Sequence, residues 1–268
     1  MPIVLRAIMP HGDELLPYTA ADVGLFALRH GMAAIGDALR AAEPDLILVA
    51  SPHHLRIPGH LAIADTAFAE GSVASGDGLV TLRVELDRAF NLALAAAAAA
   101  AGLPPALVGF QTGDGPLSTL PLDFGSLIPL YYLAGGGSLP RVCIVGPPRD
   151  LGLRPLVRLG EELDRAAASR RVALIASADL AHAHLAAGPY GFDAAAAEYD
   201  ALVQQAALAG DLALLSDLAP GFLAAAKPDA PWQLAILHGA MGGRHLASDF
   251  SYARPTYFGM MTARFDAT

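Results

Sequence analysis

The sequence predicts one α/β domain, a twisted central sheet with helices on both faces. Three observations predict it. Short continuous apolar runs, Ile3–Met9, Leu46–Ala50 and 171–176, are bounded by turn residues, as strands buried on both faces are. Segments with helical period lie between such runs. No Pro/Ser/Gly-rich linker and no repeat of fixed period divides the 268 residues, so 1–268 reads as a single domain.

The elements follow in order. The first strand, Ile3–Met9, ends at Pro10 and Gly12. A helix is expected over 20–42, where Val23, Leu25, Phe26, Met32, Ile35 and Leu39 recur at helical spacing. Leu46–Ala50 is a second buried strand. Residues 79–86, LVTLRVEL, alternate in part and suit a strand at the sheet's edge. The alanine-rich 87–101 reads as a helix, while 127–133 fits either a helix or a strand. Residues 141–145 and 171–176 read as buried strands around a helical stretch at 156–169. The run Gly135, Gly136, Gly137 turns the chain into the strand at 141. Further helices are expected at 194–209 and 231–241, and 257–264 has strand character.

Composition bounds the function. The chain is 54% hydrophobic and 16% charged, and a chain of this length can bury roughly three-quarters of its unfolded surface. Its net charge of −9 argues against nucleic acid or an anionic membrane as partner. The longest apolar stretch, 92–101, is about half the ~20 residues a membrane span needs, and no signal peptide is recognisable. The single cysteine, Cys143, cannot form an internal disulfide and sits in an apolar run as a small core residue. These features give the expectation of a cytoplasmic protein.

Three apolar strands end alike. Ile3–Met9 runs into Pro10-His11-Gly12, Leu46–Ala50 into Ser51-Pro52-His53-His54, and 172–176 into a loop carrying Asp179, His182 and His184. In open α/β sheets ligands sit in the crevice beyond the carboxyl ends of the strands. One histidine at a strand end is ordinarily a hydrogen-bonded loop residue; three strand ends delivering imidazole to one edge point to a metal site. Imidazole is the commonest protein metal ligand, and two histidines with a carboxylate hold non-haem Fe(II) while leaving positions open. Other signatures are missing: there is no Gly-x-Ser-x-Gly elbow, no phosphate-binding loop or Gly-x-Gly-x-x-Gly after the first strand, and one cysteine cannot make a Cys-x-x-Cys zinc site.

The motifs Pro10-His11-Gly12, Ser51-Pro52-His53, Leu122-Asp123-Phe124-Gly125 with Ile128-Pro129-Leu130, and Ser177-x-Asp179-Leu180-x-His182 occur in an order that resembles the class III extradiol ring-cleaving dioxygenases. These are catalytic subunits similar to the β subunit of protocatechuate 4,5-dioxygenase; DOPA-cleaving dioxygenases and Memo proteins share the fold. The resemblance runs from Pro10 to Ala240, and order and spacing carry it more than any single motif. It implies Fe(II)-dependent cleavage of a catechol-like aromatic substrate with O₂, in a homodimer.

In that family two histidines and a glutamate hold the iron, and another histidine serves as acid/base. By resemblance, His11 and His53 match the metal histidines and His182 the acid/base. The family's carboxylate precedes a Gly-Ala pair on a helix; counting back from Gly239-Ala240 gives Asp229, with Gln233 and Glu198 as alternatives. Asp229 could instead cap the helix at Pro231. His54, Asp123, Phe124 and His184 are expected around the substrate. His184 competes with His182, and Asp179 could orient the His182 ring or bond loop amides. Phe124 stands where relatives often carry histidine and cannot donate a proton, a departure that bears on substrate and reaction. Two alternatives use the same residues: a hydrolase with Zn(II)-bound water, and a Memo-like protein with a binding or redox role.

Overall fold

The fold is a computed structural model that describes residues 2–20, 22–168 and 170–266. Ala21 and Ser169, inside two expected helical stretches, lie outside the described residues, as do Met1, Ala267 and Thr268. Strands are β1 (Ile3–Met9), β2 (Leu46–Ala50), β3 (Leu61–Ala64), β4 (Phe68–Ser75), β5 (Gly78–Glu85), β6 (Pro105–Val108), β7 (Thr119–Pro121), β8 (Arg141–Gly146), β9 (Val172–Ser177), β10 (Ala247–Ala253) and β11 (Met260–Phe265). Helices are α1 (Val23–Ala42), α2 (Arg88–Ala100), α3 (Phe124–Ala134), α4 (Arg154–Ala167), α5 (Ala194–Ala209), α6 (Pro220–Ala226) and α7 (Pro231–Met241).

Eight strands form one mixed sheet in the order β10-β11-β1-β9-β2-β8-β3-β6. Its centre, β1-β9-β2-β8, is parallel, whereas β11 and β3 run antiparallel to their inner neighbours. The apolar runs have the predicted two-sided burial. Along β2, Leu46, Leu48 and Ala50 join one core, and Ile47 and Val49 the other. Strand β9 divides likewise, with Leu174 on one side and Ile175 on the other. The first core lies under α2, α4, α5 and α7; the second lies under α1, α3 and a small sheet, β5-β4-β7. Cys143 is buried, its thiol 3.0 Å from the Asn91 side-chain oxygen.

Several expectations need correcting. Residues 79–86 form β5, but β5 pairs with β4 in the small sheet and is no edge of the central one. The ambiguous 127–133 is helical, within α3, which Asp123 caps by accepting from the Ser126 amide. Val23 and Phe26, counted toward the buried face of the first helix, are 89% and 69% exposed. Strands β3, β4, β6, β7 and β10 and helix α6 were not anticipated.

Two glycines set the position of α7. A Cβ on Gly239 would lie 1.9 Å from the Val157 carbonyl oxygen, and one on Gly160 would lie 2.1 Å from that of Ile236. Only hydrogen fits at either point, so α4 and α7 pack backbone against backbone. Among the described residues, no helix is long and apolar enough to cross a membrane.

Candidate metal centre

The parallel strands β1, β9 and β2 are neighbours, so the loops leaving their carboxyl ends open onto one edge. His11 follows β1, His53 follows β2, and residues 178–184 follow β9. A fourth segment, just before α7, brings Asp229 to the same place. One ligand atom each of His11, His53 and Asp229 lie within 4.8 Å of one another. Asp229 Oδ2 is 3.3 Å from His11 Nε2 and 3.4 Å from His53 Nε2. Asp229 does not cap α7, where Ala230 holds the cap position without a side-chain bond. Its other oxygen accepts from the Asp179 amide at 3.1 Å.

The orientation of His11 traces back to a proline. Pro129 lies inside α3 and has no N–H, so the Gly125 carbonyl lacks its helical i+4 donor. The Ser177 hydroxyl donates to that carbonyl instead. With its proton committed, Ser177 Oγ accepts from His11 Nδ1 at 2.9 Å, which leaves Nε2 as the nitrogen that faces Asp229. A hydrogen bond of this kind, to the nitrogen that faces away from the metal, fixes the tautomer of a ligating histidine.

The electrostatics of this point favour a positive charge. Burial opposes charging His11, yet Asp179 and Asp229 outweigh it and raise its pKa to about 9. Asp179 Oδ2 lies 3.4 Å from His11 Nε2, and burial raises its carboxyl to about 7. Burial would raise Asp229 as well, but the charge of His11 and hydrogen bonds from both histidines hold it well below the usual carboxylate range. Two imidazoles and a charged carboxylate around one point fit a divalent cation, with His11 giving up its proton to admit it.

A cavity of about 660 Å³ opens on His11 and His53, with Phe124, Tyr190, Tyr257 and Phe258 supplying aromatic walls. Phe124 packs on the His53 ring at 4.1 Å between centroids. His182 lines this cavity too. Its Nδ1 donates to the Leu180 carbonyl at 3.0 Å, so Nε2 carries the lone pair. Phe258 stacks on the ring at 5.2 Å. Burial lowers the His182 pKa, with the Asp229 charge pulling the other way.

The remaining sequence candidates lie elsewhere. His184 is not at the cavity: its Nε2 meets Asp200 at 2.8 Å and its Nδ1 meets Arg254 at 3.2 Å. Asp200 also takes the Tyr252 hydroxyl and the Ala181 amide, so this buried group braces the loop that carries His182. His54 is buried, its Nδ1 3.6 Å from Asp123. Asp123 binds the Ser51 hydroxyl at 2.6 Å and caps α3. Burial would raise its pKa, but His54 beside it and the bonds from Ser51 and Ser126 lower it. His54 and Asp123 line a separate pocket of about 340 Å³ that also reaches His53. Gln233 is buried and donates to the Ser177 carbonyl, and Glu198 is exposed on α5, so neither joins the triad. Asp179 does not orient His182; it accepts from the His11 amide at 3.0 Å. The sequence alone assigns Ser177 no role, because that role depends on the proline and the helix it faces.

Comparison with known proteins agrees with this architecture. The crystal structure of the uncharacterized protein JW3007 from Escherichia coli K12 is similar over 98% of this chain and 99% of that one, with a TM-score of 0.60 and 14% identity, a likeness of fold. A search of curated proteins gives no match. The sequence model described as the catalytic LigB subunit of aromatic ring-opening dioxygenase matches residues 6–263, and the chain therefore belongs to the LigB family.

Proposed function

We propose that the protein is an Fe(II)-dependent extradiol dioxygenase that opens a catechol-like ring with O₂, with His11, His53 and Asp229 as metal ligands and His182 as acid/base. The observation that carries this reading is the convergence of two imidazoles and one carboxylate beside an aromatic-walled cavity, a ligand set that leaves positions free for substrate and O₂. Bound iron would supply the redox chemistry that brings O₂ and an aromatic diol into reaction.

The chain's own residues have separable tasks. Phe124, Tyr257 and Phe258 present faces and edges on which an aromatic ring packs. His182, neutral through burial and held by the Leu180 carbonyl, turns Nε2 outward to take a proton from a substrate hydroxyl and return it later. Ser177 and Asp179 hold the His11 ring and backbone.

Purification without oxygen, metal analysis and assay of ring opening with catechols under O₂ test the reading. Iron at one ion per chain and a ring-opened product are expected. Zinc with hydrolytic activity, or no metal under any loading condition, would replace it.

A further inference from the structure

The pocket of about 340 Å³ that His54 and Asp123 line has no part in the proposed reaction. It shares only His53 with the aromatic cavity. Leu55, Phe110, Leu120 and, at the end of β6, Val108 give it apolar walls, and no arginine or lysine lines it. Its one carboxylate, Asp123, is already engaged at both oxygens. Oδ1 accepts from the Ser51 hydroxyl and the Ser126 amide, and Oδ2 accepts from the Ser126 hydroxyl at 2.8 Å.

His54 differs from Asp123 in having a polar atom to spare. The chain at 54–55 lies close on Gly146, the last residue of β8. A Cβ at Gly146 would stand 2.5 Å from the Leu55 carbonyl oxygen and 3.4 Å from His54 Cβ, so only hydrogen lets the segment settle there. The ring turns Nδ1 toward Asp123 Oδ2, 3.6 Å away. A carboxylate favours the proton on the nitrogen that faces it, which leaves the lone pair on Nε2. His54 is 5% exposed, and among the described residues its buried Nε2 meets no hydrogen-bond partner. A buried acceptor without a donor is a standing cost, which a donor delivered through the pocket would remove.

We propose that this pocket is a second ligand site, and that it takes an uncharged, single-ring molecule whose hydroxyl donates to His54 Nε2. Size allows one substituted ring, since an apolar cavity of about 150 Å³ already holds benzene. Charge selects against ions. Asp123 repels an anion with no cation opposite, and apolar walls offer a cation nothing in place of its water. The lone pair on Nε2 selects a hydroxyl over a second methyl group. The site is independent of the reaction proposed for the metal centre, because its ligand needs neither a second hydroxyl nor an ion.

Phenol and toluene test it, being alike in shape and different in the hydroxyl. A pocket without an acceptor prefers toluene, because burying an unpaired hydroxyl is unfavourable. Ligand-observed NMR titration of the full-length protein as purified is expected to show phenol binding at least about tenfold tighter than toluene. His54→Phe keeps a ring and removes the acceptor, and should bring toluene level with phenol or ahead of it. Val108→Trp fills the pocket from a half-buried position outside the aromatic cavity, and should weaken both compounds at least about tenfold. Melting curves show whether each variant is folded, and Val108→Trp carries the test if His54→Phe is not. The preference should survive chelation, since a hydroxyl bound to an ion would lose its partner. Equal affinities in the wild type, failure of both compounds to bind, an unchanged preference in either folded variant, or loss of the preference on chelation overturns the site.

Discussion

Ser177 holds the Nδ1 edge of His11 at 2.9 Å while its own proton is committed to the Gly125 carbonyl. Removing the hydroxyl leaves the imidazole free to rotate or change tautomer. Ser177→Ala is expected to fold and to lose about 10–100-fold in metal affinity, the usual cost of losing the partner that orients a ligating histidine. Pro129→Ala should shift affinity the same way, because the new N–H competes for Gly125. Metal titration of both variants checks this; unchanged affinity in both would mean that the ring is held by packing alone.

Without metal, His11 makes stability depend on pH. Its pKa is raised from 6.5 to about 9 by Asp179 and Asp229 against the opposing effect of burial. A raised imidazole stabilises fully below its unfolded pKa, and the benefit is lost as pH climbs through the folded value. Asp179, raised by burial to about 7, adds a cost as it ionises above the ordinary carboxylate range. Asp229, depressed, acts oppositely: its benefit is present at neutral pH and lost only in strong acid. The metal-free protein should therefore melt at lower temperature at pH 9 than at pH 6.5. Metal affinity should rise by up to about tenfold per pH unit in that window, as His11 yields its proton. Melting curves and titrations across the range decide it, and equal stability at both ends would contradict the charge assignment.

His182→Ala should keep most of its metal and lose about 10²–10⁴ in rate. The neighbouring His184→Ala acts through folding, since it strips a buried partner from Asp200 at a cost of about 1–3 kcal/mol. Metal content, turnover and melting temperature, scored separately, tell the two apart. Loss of metal in His182→Ala would make it a ligand.

Gly239→Ala tests how the carboxylate is placed. A Cβ there meets the Val157 carbonyl at 1.9 Å, so α7 must move away from α4 and carry Asp229 with it. A destabilisation of about 1–3 kcal/mol is expected, with metal binding impaired while helix content stays. Circular dichroism and metal analysis read the two effects, and an unchanged melting temperature would show that the helices have slack.

The central strands were legible because continuous apolar runs such as LILVA have no other economical fate in a short segment. β4, FAEGSVAS, offered no such run: it packs through alternate residues of a small sheet, and its pairing with β5 and β7 is a tertiary fact. His11 and His53 could be named because each follows an apolar strand whose end the sequence marks, whereas Asp229 came from the resemblance, by counting back from Gly239-Ala240. His184 was misplaced for a physical reason. Two residues beyond His182 in an extended loop suggests the same side, but Asp200, sixteen residues on, draws the ring into the interior.

The three candidate ligands come from positions 11, 53 and 229, so an ion held by them would join the first strand to the last helix across most of the chain's length. Such a bond is a reversible cross-link, closing loops whose entropy the bare chain must otherwise lose unaided. Chelation would therefore loosen more than a pocket. It would weaken the hold on the segment that runs from α6 into α7, leaving it tied to the β1 and β9 loops through Asp229 and Gln233 alone among its side chains, and the amides there would exchange with solvent before those of the sheet.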